Sequence, residues 1–297
     1  MAGTTHFIHD RLLGHVPNPG FRGSGFGGSF HTIDSNGIRF SGARPASSDG
    51  AILTVGDSFT YGDEVLDEES WPAQLQRLVG RPVLNGGVTG YGFDQIVLRT
   101  EQLAGLHKPS LIIVSFIADD LRRTEMRRMW WRDKPWFAIE GDRLVLKGVP
   151  VPNRAILPLE VRRRMDSVLV DFPPVLQTLV GYHVRVHRAG RGLAIGQRLT
   201  ERLAALQAER AARIVVVAQY PPVVWANTTI ANEQRRQTQT ILDSAAACGL
   251  ATLDTFPRLA AEPKPQAFYG FSHMNARGNL MIASLLSATL PSLLKLP

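Results

Sequence analysis

The sequence predicts a three-layer α/β/α sandwich built on about five parallel strands, and two observations carry that expectation. Short continuous apolar runs alternate with segments of helical period, the pattern of a parallel sheet covered on both faces. Polar or glycine-rich blocks follow these runs, at the carboxyl ends of the strands where open α/β sheets place their sites.

The first buried run is 51–55, ending at Gly56. Residues 70–79 then show helical spacing through Trp71, Leu75, Leu78 and Val79, and 82–84 gives a second short strand. A helix over 93–106 precedes the third strand, 111–117. The amphipathic segment 197–211 leads into a fourth strand at 214–218. A helix over 230–247, a fifth strand at 251–253 and a last helix over 278–294 complete the series.

Two stretches break the rhythm. Residues 1–50 are rich in Gly, Ser, His and Pro and read as a β-like lead-in packed on the core, with a hairpin around Ser35-Asn36-Gly37. Residues 121–197 read as an insertion between strands three and four of a domain covering 51–297. That insertion carries Trp130, Trp131 and Trp136, a β-like patch at 143–146 and many arginines. The tryptophans suit either a lid over the site or anchors onto the core.

The bulk numbers narrow the function. The chain has 297 residues, 44% hydrophobic and 20% charged, ordinary for a folded soluble protein. Its one cysteine, Cys248, excludes an internal disulfide framework and reads as a buried apolar residue. His183 and His187 stand at i, i+4 without a third ligand, so no metal site is expected. The net charge of +7 favours an anionic polymer or a membrane surface as partner. No basic motif interleaved with aromatics appears, which argues against nucleic acid. Arg162, Arg163, Arg164, Arg185, Arg188 and Arg191 read as a solvated basic face or a contact with an anionic surface. Without a signal-type apolar segment or a membrane-length run, the expected location is the cytoplasm. An upstream segment would make it periplasmic or membrane-anchored.

Chemistry concentrates in four blocks. Gly56-Asp57-Ser58-Phe59-Thr60 follows the first strand, and Asn85-Gly86-Gly87-Val88-Thr89-Gly90-Tyr91-Gly92 follows the second. Asp119-Asp120-Leu121 follows the third, and Ser272-His273-Met274-Asn275-Ala276-Arg277-Gly278-Asn279 opens the last helix. Alone, Ser58 reads as a helix N-cap. Together, the ordered blocks resemble the GDSL/SGNH hydrolases, particularly bacterial members with Gly-Asp-Ser-Phe-Thr. The segments Asp10-Arg11-Leu12-Leu13-Gly14-His15 and Ser35-Asn36-Gly37-Ile38-Arg39 resemble the lead-in of polysaccharide-associated members.

That resemblance implies a flavodoxin-like sandwich and a cofactor-free serine esterase or acyltransferase. Ser58 would be the nucleophile and His273 its base, the two within hydrogen-bond reach on one rim. The N–H groups of Ser58 and Gly90 would form the oxyanion hole. The implied substrate is an acyl ester, acetyl foremost, of a carbohydrate or small molecule, with water or a sugar hydroxyl as acceptor. Two positions depart from the family pattern. Asp119 stands where an asparagine completes the oxyanion hole, and an ionised carboxylate there would repel the charge it should stabilise. Gly270 stands three residues before His273, where the family places its acid. Restoring an acid at 270 is therefore expected to raise activity. Asp254, at the end of the fifth strand, is the candidate substitute acid and also reads as a turn or cap. The departures leave two other readings: a catalytically degenerate domain binding an anionic polymer, and a lipid-facing esterase or thioesterase.

Overall fold

A computed structural model describes residues 5–42, 50–129, 132–156 and 183–293. At its centre lies a five-stranded parallel sheet. Before it come two antiparallel hairpins, β1 (Phe7–Asp10) with β2 (Gly14–Pro17) and β3 (Arg22–Ser24) with β4 (Phe30–Thr32). The sheet comprises β5 (Ile52–Val55), β6 (Val83–Asn85), β7 (Leu111–Phe116), β13 (Arg213–Ala218) and β14 (Ala251–Asp254), in the order β14-β13-β7-β5-β6. β5 and β7 are buried at every position, because helices cover both faces. The predicted strands lie on these five.

The strand order reverses direction beside β5: the chain steps to β6 on one side, then crosses back to β7 on the other. The crevice beyond the carboxyl ends of β5 and β7 is therefore a topological switch point. α1 (Ser58–Tyr61) leaves β5 there, and α4 (Ala118–Arg123) leaves β7 there. α2 (Trp71–Val79) and α3 (Phe93–His107) fill the connections to β6 and β7.

Between α4 and the next helix lie β8 (Met126–Met129), β9 (Arg132–Asp133), β10 (Trp136–Glu140), β11 (Arg143–Lys147) and β12 (His183–Arg185). β12, β8 and β9 form one small sheet, and β10 with β11 an antiparallel hairpin. α5 (Arg191–Arg210), α6 (Thr228–Ala247), α7 (Phe256–Ala260) and α8 (Ala276–Leu293) complete the layers. One apolar cluster joins α3, α5 and α6 to one face of the sheet and includes Leu13 and Ile38 of the lead-in. A second joins α2 and α8 to the other face around Trp71, Ile113 and Leu286.

Two local expectations are modified. α5 begins six residues before the predicted 197, through Gly192 and Gly196. A Cβ on Gly192 would lie 2.0 Å from Leu121 O, and one on Gly196 would lie 2.8 Å from the side chains of Leu121 and Ile241. These glycines lower helix propensity but permit the close approach of α5 to α4 and α6. Ser35-Asn36-Gly37 does form a turn, closed by a bridge between Ile33 and Arg39, but β4 takes β3 as its ladder partner.

Candidate active site

The turn after β5 presents Ser58. Asp57 caps α1, its Oδ1 accepting the Phe59 N–H at 2.9 Å, so the chain bends sharply and Ser58 opens the helix. Asp57 is fully buried, and burial raises its pKa against the opposing pull of Arg123, whose Nη1 lies 3.5 Å away.

His273 arrives from a tight turn ahead of α8. The Gly270 N–H donates to His273 O at 2.9 Å, and Asn275 Oδ1 accepts the Gly278 N–H at 3.0 Å, starting the helix. Asn279 Oδ1 accepts the Trp71 N–H at 2.9 Å, which ties α8 to α2 and fixes the block against the sheet. Nε2 of His273 then lies 2.9 Å from Ser58 Oγ.

Nδ1 of His273 meets Glu64, a residue the sequence reading passed over. Glu64 Oε1 is 2.9 Å from Nδ1. The same carboxylate accepts the Ser272 hydroxyl at 2.7 Å, the Ser272 N–H at 2.9 Å and the Phe271 N–H at 2.7 Å. Burial opposes the Glu64 charge, but the hydrogen bonds from His273 and Ser272 outweigh it and hold the carboxyl below its ordinary range. An ionised carboxylate only accepts, so the imidazole proton belongs on Nδ1 and Nε2 is left basic toward Ser58. Gly270 leaves room for this arrangement: a Cβ there would lie 2.6 Å from Glu64 Oε2. The available signal was an acid six residues after Ser58 coinciding with a glycine three residues before His273.

A second carboxylate stands on the other side of the ring. Asp63 Oδ2 is 3.9 Å from Nε2, while its Oδ1 accepts the Thr89 hydroxyl. Burial pushes Asp63 up to about 6, against the lowering influence of His273 and Thr89.

Asp119 stands at the rim but presents no donor. Its Oδ2 accepts Arg123 Nε at 3.0 Å and its carboxylate also takes Arg122 of the same helix. Burial works against the Asp119 charge, and the two guanidiniums overcome it, holding the group below the usual carboxylate range. Arg123 is itself a hub: Nη1 reaches Asp120 Oδ1 at 2.8 Å and Tyr91 O at 2.9 Å as well as Asp57. One guanidinium thereby ties the turns after β5, β6 and β7 together. Gly90, in the turn after β6, takes a positive φ of 78°. Asp254 does not reach the imidazole; its Oδ1 caps the start of α7 by accepting the Phe256 N–H at 2.9 Å. It ends β14, an edge strand two places from β7.

The remaining sequence candidates are structural or lie elsewhere. Trp136 packs edge-on against His187, whose Nε2 bonds Phe137 O at 2.7 Å. Trp130, Trp131, Arg162, Arg163 and Arg164 fall outside the described residues. Arg185 pairs with Glu125 at 3.2 Å, whereas Arg188 and Arg191 are exposed. Cys248 is half-buried rather than buried. Among the described residues no group of three His, Cys, Asp or Glu side chains could hold a metal, and no helix is long and apolar enough to cross a membrane. A cavity of about 490 Å³ opens between α4, α5 and α6 beside Asp119; neither Ser58 nor His273 lines it.

The profile of the GDSL-like Lipase/Acylhydrolase family matches residues 54–280. The chain belongs to this family, and with it to the serine hydrolases that cleave acyl esters. No curated protein sequence matches the chain. Among solved structures, it is similar to a lipase/acylhydrolase from Enterococcus faecalis at 13% identity and a TM-score of 0.47, covering 82% of this chain and 95% of that one. A putative G-D-S-L lipolytic protein from Desulfitobacterium hafniense has 13% identity and a TM-score of 0.48, with 80% and 98% covered. A mutant of Axe2, an acetyl-xylooligosaccharide esterase from Geobacillus, has 12% identity and a TM-score of 0.49, with 83% and 95% covered.

Proposed function

We propose that the chain hydrolyses carboxylic esters through Ser58, His273 and Glu64. The supporting observation is the continuous line from Ser58 Oγ to Nε2 at 2.9 Å and from Nδ1 to Glu64 at 2.9 Å. As Ser58 Oγ attacks the ester carbonyl, its proton passes to Nε2 and the carbonyl oxygen takes the negative charge. Collapse of that intermediate breaks the bond to the alcohol oxygen, which leaves with the proton from Nε2. Water, deprotonated by the same nitrogen, then frees the acid and restores Ser58. Glu64 keeps the proton on Nδ1 and stabilises the imidazolium formed in each half. The N–H groups of Ser58 and Gly90 serve the oxyanion, while Asp119, committed to Arg122 and Arg123, takes no part there.

Within this class the favoured substrate is a short acyl ester, acetyl foremost, of a carbohydrate, supported by the likeness of the lead-in segments to polysaccharide-associated members. The test is turnover of p-nitrophenyl acetate. Wild type turns over, and Ser58→Ala and His273→Ala each fall by at least about 10³ in kcat. A Ser58→Ala protein that retains wild-type turnover would refute the reading. Acetate release from acetylated xylooligosaccharides checks the carbohydrate part.

A further inference from the structure

We propose that Phe26 and Phe271 form an alcohol-side subsite that grips the ester's leaving group by a flat apolar face, as a pyranose presents in its C–H surface. The proposal rests on the esterase reading above and adds which side of the ester the protein selects.

Both rings are spent on solvent in a place where packing gives no reason for it. Phe271 is 92% exposed and Phe26 47% exposed, and both flank the polar group of Glu64, Ser272 and His273. Phe26 stands edge-on to the His273 imidazole with ring centroids 6.0 Å apart. Phe271 lies two residues before His273 in the same tight turn. Phe59, whose ring centroid is 5.1 Å from that of His273, is buried and supports the imidazole from within.

The backbones carrying the two exposed rings are held. The Gly25 N–H donates to Ser29 O at 2.7 Å, and the Ser29 hydroxyl reaches Asp63 O at 3.2 Å. Gly27 rests on Glu64, where a Cβ would lie 3.3 Å from the Glu64 Cγ. Phe271 hangs from Glu64 through its own N–H. The backbones that carry both phenyls are thus tied to the Asp63–Glu64 segment.

Reaction geometry decides which part of the ester they meet. The leaving oxygen must come within hydrogen-bond reach of Nε2 to receive its proton, whereas the carbonyl oxygen must face the N–H groups of Ser58 and Gly90. The alcohol therefore lies on the imidazole side, beside Phe26. Exposed phenyls supply area and no hydrogen bonds, so they favour a ring with an apolar face over a small flexible alcohol.

The experiment compares kcat/KM of wild type with Phe26→Ala, Phe271→Ala and the double variant on acetates of different alcohols. Ethyl, phenyl and methyl-pyranoside acetates share one acyl group, and the wild-type to variant ratio cancels their intrinsic reactivities. The double variant is expected to lose about tenfold or more on the pyranoside acetate and less than about twofold on ethyl acetate. Preference among p-nitrophenyl acetate, butyrate and octanoate should stay unchanged, as should the pH dependence of kcat on ethyl acetate. An equal loss on every alcohol, or an altered acyl-length preference, would overturn the subsite. A large loss on phenyl acetate alone would assign it to aryl alcohols and overturn the sugar assignment. Retained turnover in Ser58→Ala would instead bring down the esterase reading, and the subsite with it.

Discussion

Glu64 Oε2 lies 2.6 Å from where a side chain on Gly270 would begin. The two positions compete for one space, and in the proposed mechanism the orienting carboxylate comes from the segment that follows Ser58 rather than from the one that precedes His273. Glu64→Ala is therefore expected to reduce kcat on p-nitrophenyl acetate by about 10²–10⁴, the scale of losing an orienting acid. Gly270→Asp in the wild type should lower activity, because it crowds and repels Glu64; this reverses the expectation from sequence. Gly270→Asp added to Glu64→Ala should recover part of the loss. Failure of any recovery, with activity unaffected by Glu64→Ala, would remove Glu64 from the site.

Asp119→Asn is expected to leave the pH–rate profile superimposable on wild type, with no gain at neutral pH. The substitution removes one partner from Arg122 and Arg123, and Arg123 keeps Asp120, Asp57 and Tyr91 O. Since the Asp119 pair is part-exposed, the stability loss should be about 1 kcal/mol or less by thermal melting. A several-fold rise in kcat would show that the carboxylate faces the oxyanion after all.

Asp63→Asn should stabilise the protein above pH 6 and slow it. The folded carboxyl titrates at about 6 and an unfolded one near 3.9, so the folded state holds its proton more tightly. Ionised Asp63 thus costs stability above pH 6, about 3 kcal/mol at most, and that cost fades as pH falls from 6 toward 4. Denaturant melts of both proteins at pH 8 and pH 4 check the sign: the gain should be present at the first and nearly absent at the second. The Asn variant should also have lower kcat, having lost a charge 3.9 Å from Nε2.

Acid should unfold the lead-in region early. Burial pushes His6 down to about 4, His15 to about 3 and His31 to about 2, with Arg39 or Arg132 adding to the effect. Their neutral forms stabilise the fold fully above about pH 6.5, and this contribution is lost as pH falls below that value. The two buried ones, His15 and His31, each add a slope of about 1.4 kcal/mol per pH unit in that range. The unfolding free energy from denaturant melts between pH 7 and pH 4 should fall with a slope smaller by about 1.4 kcal/mol per pH unit in His15→Gln. A slope identical to wild type would mean His15 binds no extra proton on unfolding.

The strands were legible because parallel strands buried on both faces must be nearly continuous apolar runs, as Leu111–Phe116 is. Ser58 and His273 were legible through residue type in ordered blocks. Glu64 was not, since its role depends on the αL turn at Gly62 and on a segment 200 residues away, and neither leaves a periodic trace. Asp119 occupies the position of a family donor, and its neighbours Arg122 and Arg123 determine where its carboxylate goes, which no spacing in the sequence decides. Arg39 was equally hidden. It is fully buried and donates to the carbonyls of Tyr61, Gly62 and Val65, a role only the tertiary fold creates.

Ser58 and Glu64, the proposed nucleophile and orienting acid, sit six positions apart in sequence, whereas the proposed base, His273, comes from the turn ahead of α8, which Asn279 pins to Trp71. As the chain is synthesised from its amino end, Ser58 and Glu64 emerge together and remain without a base while some two hundred further residues are added. Under the proposed mechanism, Ser58 gains its base only once the turn ahead of α8 is seated, and Asn279 seats it by accepting the Trp71 N–H. The proposed ester-cleaving chemistry therefore depends on a segment made some two hundred residues after Ser58.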